Sequence, residues 1–141
     1  MDDPVLDLAS RRPVWEALAA LWLDTDLTDW QLDHIAGVLA ASPYSLPEMR
    51  AIHDYEVAPA LWVNLVTVAG EWAGFDGDWL AARCRSHALR RGSRCYRFRI
   101  GLQRPLFRFF VDDDWRRLVR RIEARIRAGQ EVAVDTLTND R

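Results

Sequence analysis

A chain of 141 residues has length for one continuous core and little left for a second. Half hydrophobic and 28% charged, it falls outside the compositions of disordered chains, and no apolar run approaches the roughly 20 residues of a membrane helix. The net charge of −2 hides a split: residues 1–80 carry 14 acidic and 3 basic side chains, residues 81–141 carry 16 basic and 7 acidic, and every basic residue is arginine.

The chain starts Met1-Asp2-Asp3-Pro4, acidic where a secretory leader would be basic, so the expected address is the cytoplasm. Residues 1–10 form a lead-in. A first helix is expected from about Ser10, with Pro13 early in it and Val14, Trp15, Leu18, Ala19, Leu21 and Trp22 at helical spacing. The acidic stretch Asp24-Thr25-Asp26-Leu27 ends it. Thr28 with Gln31 has the capping-box pattern, which places a second helix over Asp29 to Ala41 with Leu32, Ile35, Val38 and Leu39 inward. Ser45 with Glu48 repeats the pattern, and a third helix follows from Leu46 to Val57, burying Leu46, Met49, Ile52 and His53.

Pro59 cannot donate a backbone hydrogen bond, so a kink or a new helix is expected there. The segment Pro59 to Ala69 is apolar nearly all round and should be the central helix. Asp76 is placed to cap a fifth helix running through Trp79, Leu80, Cys84 and Leu89 to Gly92. Tyr96, Phe98 and Ile100 alternate with Cys95, Arg97 and Arg99, a strand-like pattern, so a short hairpin or an irregular segment is expected near 94–111, limited by Pro105. Asp112, Asp113 and Asp114 suit a helix amino terminus. The last helix is expected to end near Gly129, with Trp115, Leu118, Val119, Ile122 and Ile126 on one face and Arg116, Arg117, Arg120, Arg121 and Arg127 on the other. The fold class is therefore mainly α, a single domain over 1–141 built as a bundle of about six helices.

No catalytic motif is found: no nucleophile elbow, no glycine-rich phosphate loop, and no recurring metal-ligand spacing. Cys84 and Cys95 lack a Cys-x-x-Cys spacing and are expected as free thiols. No metal or cofactor is expected. The acidic group Asp24, Asp26, Asp29 and Asp33, with Trp30 as an exposed anchor, is the candidate surface for a basic protein partner. A basic patch of Arg116, Arg117, Arg120 and Arg121 is the candidate for nucleic acid. His53, Asn64 and Glu71 could line a polar pocket of a ligand binder or enzyme, because a buried amide at Asn64 must find partners. No membrane role is expected.

The runs Arg11-Arg12-Pro13-Val14-Trp15-Glu16-Ala17-Leu18, Leu39-Ala40-Ala41-Ser42-Pro43-Tyr44-Ser45-Leu46, Glu56-Val57-Ala58-Pro59 and Ala69-Gly70-Glu71-Trp72-Ala73-Gly74-Phe75 resemble a small family of bacterial proteins of unknown function. The resemblance covers about 11–85 and implies no activity or catalytic residue; the arginine-rich part, about 86–128, resembles the family poorly. The expectation is a non-catalytic protein-binding module, an immunity- or antitoxin-type inhibitor being one concrete form, with its acidic and basic stretches on separate outer faces.

Overall fold

Helix starts follow local capping chemistry. In a computed structural model that describes residues 7–23, 27–67 and 77–139, Asp7 Oδ1 accepts from the Ser10 amide at 3.2 Å and opens α1 (Leu8–Leu23). The start thus lies two residues before Ser10. α2 (Asp29–Ala41) begins at the expected capping box, with Gln31 N–H donating to Thr28 Oγ1 at 3.2 Å and Thr28 N–H to Gln31 Oε1 at 2.8 Å. Ser45 accepts from the Glu48 amide at 3.3 Å and caps α3 (Leu46–Ile52).

Instead of one helix to Val57, α3 passes into a π-helical turn, His53–Val57, and then into α4 (Ala58–Thr67). Pro59 supplies part of the reason. It has no N–H for the Tyr55 carbonyl four residues earlier, and the Tyr96 hydroxyl donates to that carbonyl at 2.5 Å instead. The wider turn also buries His53, Asp54, Glu56 and Val57 together, more of the helix circumference than one stripe would.

α5 (Gly77–Arg90) leads through a short turn to α6 (Arg94–Asn139), a helix of 46 residues. This corrects two expectations. The strand-like segment near 94–111 is helix, because Tyr96 and Ile100 are an i, i+4 pair buried at 5% and 1% while Phe98 points out at 71% exposure. Asp112, Asp113 and Asp114 lie within α6 rather than at its amino terminus, Asp112 bonding Arg116 at 3.0 Å and Asp114 facing Arg117 at 3.6 Å. Neither Pro105 nor Gly129 ends the helix. No strand is present among the described residues.

The core is one cluster. Trp15 and Leu18 of α1, Leu32 and Leu39 of α2, Met49 and Ile52 of α3, Leu61 of α4, Leu80 of α5, and Ile100, Phe107, Leu118 and Ile122 of α6 are all fully buried. Burial of each such side chain contributes about 1.5–3 kcal/mol, so the bundle is held from every helix rather than from one pair. At its centre Trp22 meets Trp62 and Phe107 edge-on, at 6.5 and 6.1 Å between ring centroids. Beyond Ile122 the α6 residues through Asn139 are all exposed, Ile126 included, and past Arg125, which still reaches α2, about 20 Å of helix leaves the bundle. Cys84 is buried and Cys95 exposed, both as free thiols.

Candidate functional site

The π-helical turn carries His53, Asp54 and Glu56 into the interior, and each is met by a specific partner. Trp22 Nε1–H donates to His53 Nε2 at 3.0 Å, so that ring nitrogen is the acceptor and Nδ1 carries the proton. Nδ1 then donates to Asp54 Oδ1 at 3.0 Å. Burial pushes the His53 pKa down, with Arg50 and Arg108 adding to it against the pull of Asp54, and the ring is neutral. Both ring nitrogens are used. That leaves His53 without a free lone pair for a proton or a metal, a positioning role rather than a reactive one.

The two carboxylates gather arginines from three helices. Glu56 accepts from Trp15 Nε1–H at 2.8 Å and from Arg91 Nη1–H at 2.6 Å, with Arg11 Nη1 at 3.7 Å. Asp54 Oδ2 faces Arg50 at 3.6 Å, Arg104 at 3.4 Å and Arg108 at 3.7 Å. Burial alone would raise the Asp54 pKa, yet the His53 N–H and the surrounding arginines hold it below the ordinary carboxylate range. Arg50 lies over the Trp115 ring at 4.6 Å, and Arg104 over Tyr55 at 5.9 Å, so aromatic faces shelve the guanidiniums. Of this group only His53 was picked out by the sequence as a site residue.

A second cluster joins α2 to the far half of α6. Arg117 bonds Asp29 at 2.8 Å, and Arg121 bonds Asp29 at 2.9 Å and Asp33 at 2.6 Å. Gly37 has no side chain to obstruct Arg125, whose guanidinium would lie 3.3 Å from a Cβ there and donates to the Asp33 carbonyl at 3.1 Å. The acidic patch and the basic patch therefore face each other, and the expectation of separate outer faces does not hold for Asp29, Asp33, Arg117 and Arg121. Helix packing is the cause: the apolar faces that bury Leu32, Ile35, Leu118 and Ile122 bring the flanking charges of α2 and α6 into register. Arg116 is drawn to Asp112, Arg120 is exposed, and Trp30 is exposed at 75% with its ring stacked on His34. Asp24, Asp26 and Glu71 lie outside the described residues, as does the Asn64 side chain, so the pocket expected from His53, Asn64 and Glu71 has only His53 on view.

The third feature is the outer face of α6. Phe98, Leu102, Pro105 and Phe109 recur at i, i+4, i+7 and i+11, one stripe of a helix, with Leu106 at its edge. Phe98 is 71%, Leu102 67%, Leu106 49% and Phe109 82% exposed, while Tyr96, Ile100, Phe107 and Val111 on the opposite side fill the core. No acidic residue stands between Asp78 and Asp112, and nine arginines do. Arg94, Arg97, Arg99, Arg104 and Arg108 flank the stripe, so it is apolar along its crest and positive at its sides.

The chain belongs to a family described as a domain of unknown function (DUF7079), whose model matches residues 9–121. The match runs past the expected limit of about 85 and takes in the apolar stripe and most of the arginines. No curated protein and no solved structure matches the chain. Among the described residues no helix is long and apolar enough to cross a membrane.

Proposed function

We propose that this chain is a protein-binding module whose docking surface is the outer face of α6, and whose partner presents an acidic, apolar helix. The carrying observation is the stripe of Phe98, Leu102, Leu106 and Phe109, large apolar side chains left exposed on a helix whose opposite side already fills the core. Such patches mark interaction sites. A single face has only three or four turns between residues 98 and 109, about 16 Å, the span of helix-in-groove anchors. Gly101 and Pro105 leave low relief beside the larger side chains, a shape that a partner helix can interlock with.

Charge selects the partner. A second copy would bring arginine flanks against arginine flanks, whereas acidic side chains beside an apolar ridge would complement them. The version in which Asp29 and Asp33 recruit a basic target, as an immunity- or antitoxin-type inhibitor would, has less support, because both carboxylates are engaged by Arg117 and Arg121. The same pairing draws on the arginines that a nucleic-acid reading needs.

The test is affinity capture from the source cells, identification of the retained protein, and titration of the purified pair. Phe98→Asp with Leu102→Asp should weaken that complex by about a hundredfold or more, and Asp29→Asn with Asp33→Asn by only a few-fold. Equal binding by the Phe98/Leu102 variant would overturn the reading. So would sedimentation of the wild type, but not the variant, with phosphatidylglycerol vesicles, since that result assigns the stripe to a lipid surface.

A further inference from the structure

Asp54 is surrounded by more positive charge than one carboxylate balances. Charge-assisted N–H···O⁻ bonds close to about 2.7–2.9 Å. Arg50, Arg104 and Arg108 instead stand 3.6, 3.4 and 3.7 Å from Asp54 Oδ2, gathered around it without closing on it. Oδ2 is buried and accepts no hydrogen bond, and buried Arg50 Nη1 and Arg104 Nε donate none. Unmet polar atoms of both signs in one buried spot are costly, on the order of 1–3 kcal/mol each, and a native protein seldom keeps them without a use.

The surroundings favour a ligand of one kind. Asp54 Oδ1 is committed to His53, and Asp112, the other acid near Arg50, is bonded to Arg116 at 3.0 Å. Three guanidiniums against one carboxylate leave a local charge of +2. Arg104 and Arg108, one turn apart on α6, have side chains 36% and 46% exposed, so their outer N–H groups can be reached from solvent. Trp115 and Tyr55 hold the planes of Arg50 and Arg104, which lowers the entropy lost on binding.

We propose that Arg50, Arg104 and Arg108 form a receptor for a doubly charged oxyanion of the phosphate class, with Asp54 as the internal counter-ion that keeps the three guanidiniums together. A dianion matches the +2 excess where a carboxylate would leave half of it. Arginine forks fit phosphate oxygens with paired N–H groups, and the aromatic shelves fix the direction those groups point. This site goes beyond the docking face: Arg104 and Arg108 also flank the stripe, but the receptor uses neither Phe98 nor Leu102.

Isothermal titration of the full chain with inorganic phosphate at low salt and pH 7.5 reads it directly. One saturable site is expected, weakened about tenfold by Arg104→Gln and again by Arg108→Gln, the range for a hydrogen bond to a charged group. Binding should fall between pH 7.5 and 5.5, because inorganic phosphate passes from mostly dianion to mostly monoanion over that range and the monoanion fits worse. A phosphoserine peptide that binds more tightly than inorganic phosphate identifies a modified side chain as the source; equal affinity identifies the free anion. The Phe98→Asp/Leu102→Asp variant should bind phosphate as the wild type does, which separates this site from the docking face. The proposal is overturned if no saturable binding occurs, if acetate binds equally well, or if both arginine variants, shown folded by circular dichroism, bind like the wild type.

Discussion

The α2–α6 seam and the π-helical turn use the same chemistry in opposite surroundings. At the seam, Arg117 and Arg121 hold Asp29 and Asp33 at 2.6–2.9 Å, but the two carboxylates are 77% and 51% exposed. In the turn, Asp54 and Glu56 are 1% and 0% exposed, and some of their arginines stand 3.4 Å away or farther. Distance alone would rank the seam first. Dielectric reverses that order, since water and salt screen the seam far more than they screen the buried carboxylates of the turn. The exposed pairs are nearly free to break, and the buried ones are not.

The widest gap between the two regions should open at Glu56. Glu56→Ala leaves the Trp15 indole N–H and the buried guanidinium of Arg11 facing each other's lost acceptor, together with Arg91. Breaking a buried pair from one side costs about 3–5 kcal/mol, read as a lowered urea midpoint at unchanged slope. A loss below about 1 kcal/mol would place the turn in the same class as the seam and end the distinction.

Acid should find the buried region next. His53 has a folded pKa below its unfolded value of about 6.5, so below that pH the unfolded chain takes up a proton that the native ring refuses. Stability therefore holds above pH 6.5 and falls as pH drops beneath it, by at most about 1.4 kcal/mol per pH unit for this one group. His87 adds to the same direction: burial first, then Arg90, Arg83 and Arg99, push it down to about 4. Its Nδ1–H donates to the Tyr96 oxygen at 3.0 Å, because the Tyr96 hydrogen is committed to the Tyr55 carbonyl. Urea midpoints in the wild type should change little from pH 7.5 to 6.5 and step downward by pH 5.5, and His87→Gln should flatten only part of the step. Midpoints independent of pH would mean that His53 is not held neutral.

What could be read from the residues divides along the same line. The inward stripes of α1 and α2 and both capping pairs were legible, because each depends on neighbours within one or two turns. The π-helical turn was not: it depends on Pro59 meeting Tyr96, 37 positions further along the chain, through the carbonyl of Tyr55. The strand-like pattern at Tyr96, Phe98 and Ile100 misled because periodicity assumes that apolar side chains face inward. Phe98 breaks that assumption, and the feature that hid α6 is the one that makes its outer face a binding candidate. The charge split was visible in composition, but only helix packing sets Asp29 and Asp33 against Arg117 and Arg121. His53 stood out as a buried polar residue; the arginines that meet Asp54 and Glu56 did not, since they come from α1, α3, the turn after α5, and α6.

The smallest expected effect is the sharpest test of the seam. Asp29→Asn with Asp33→Asn should cost less than about 1 kcal/mol, and 1 M salt should erase most of the difference from the wild type, because screening already weakens the pairs it removes. The substitution has a second consequence that a purely structural seam would not share. It releases Arg117 and Arg121 beside Arg120, so a surface that was locally neutralised becomes basic. The variant should then gain affinity for duplex DNA with a steep negative salt slope, of about one unit for each phosphate contact added. Filter binding at two salt concentrations compares the two proteins directly. A wild type that binds as tightly and with the same slope as the variant would show that the seam carboxylates do not occupy their arginines in solution, and the contrast with the turn would have to rest on the buried cluster alone.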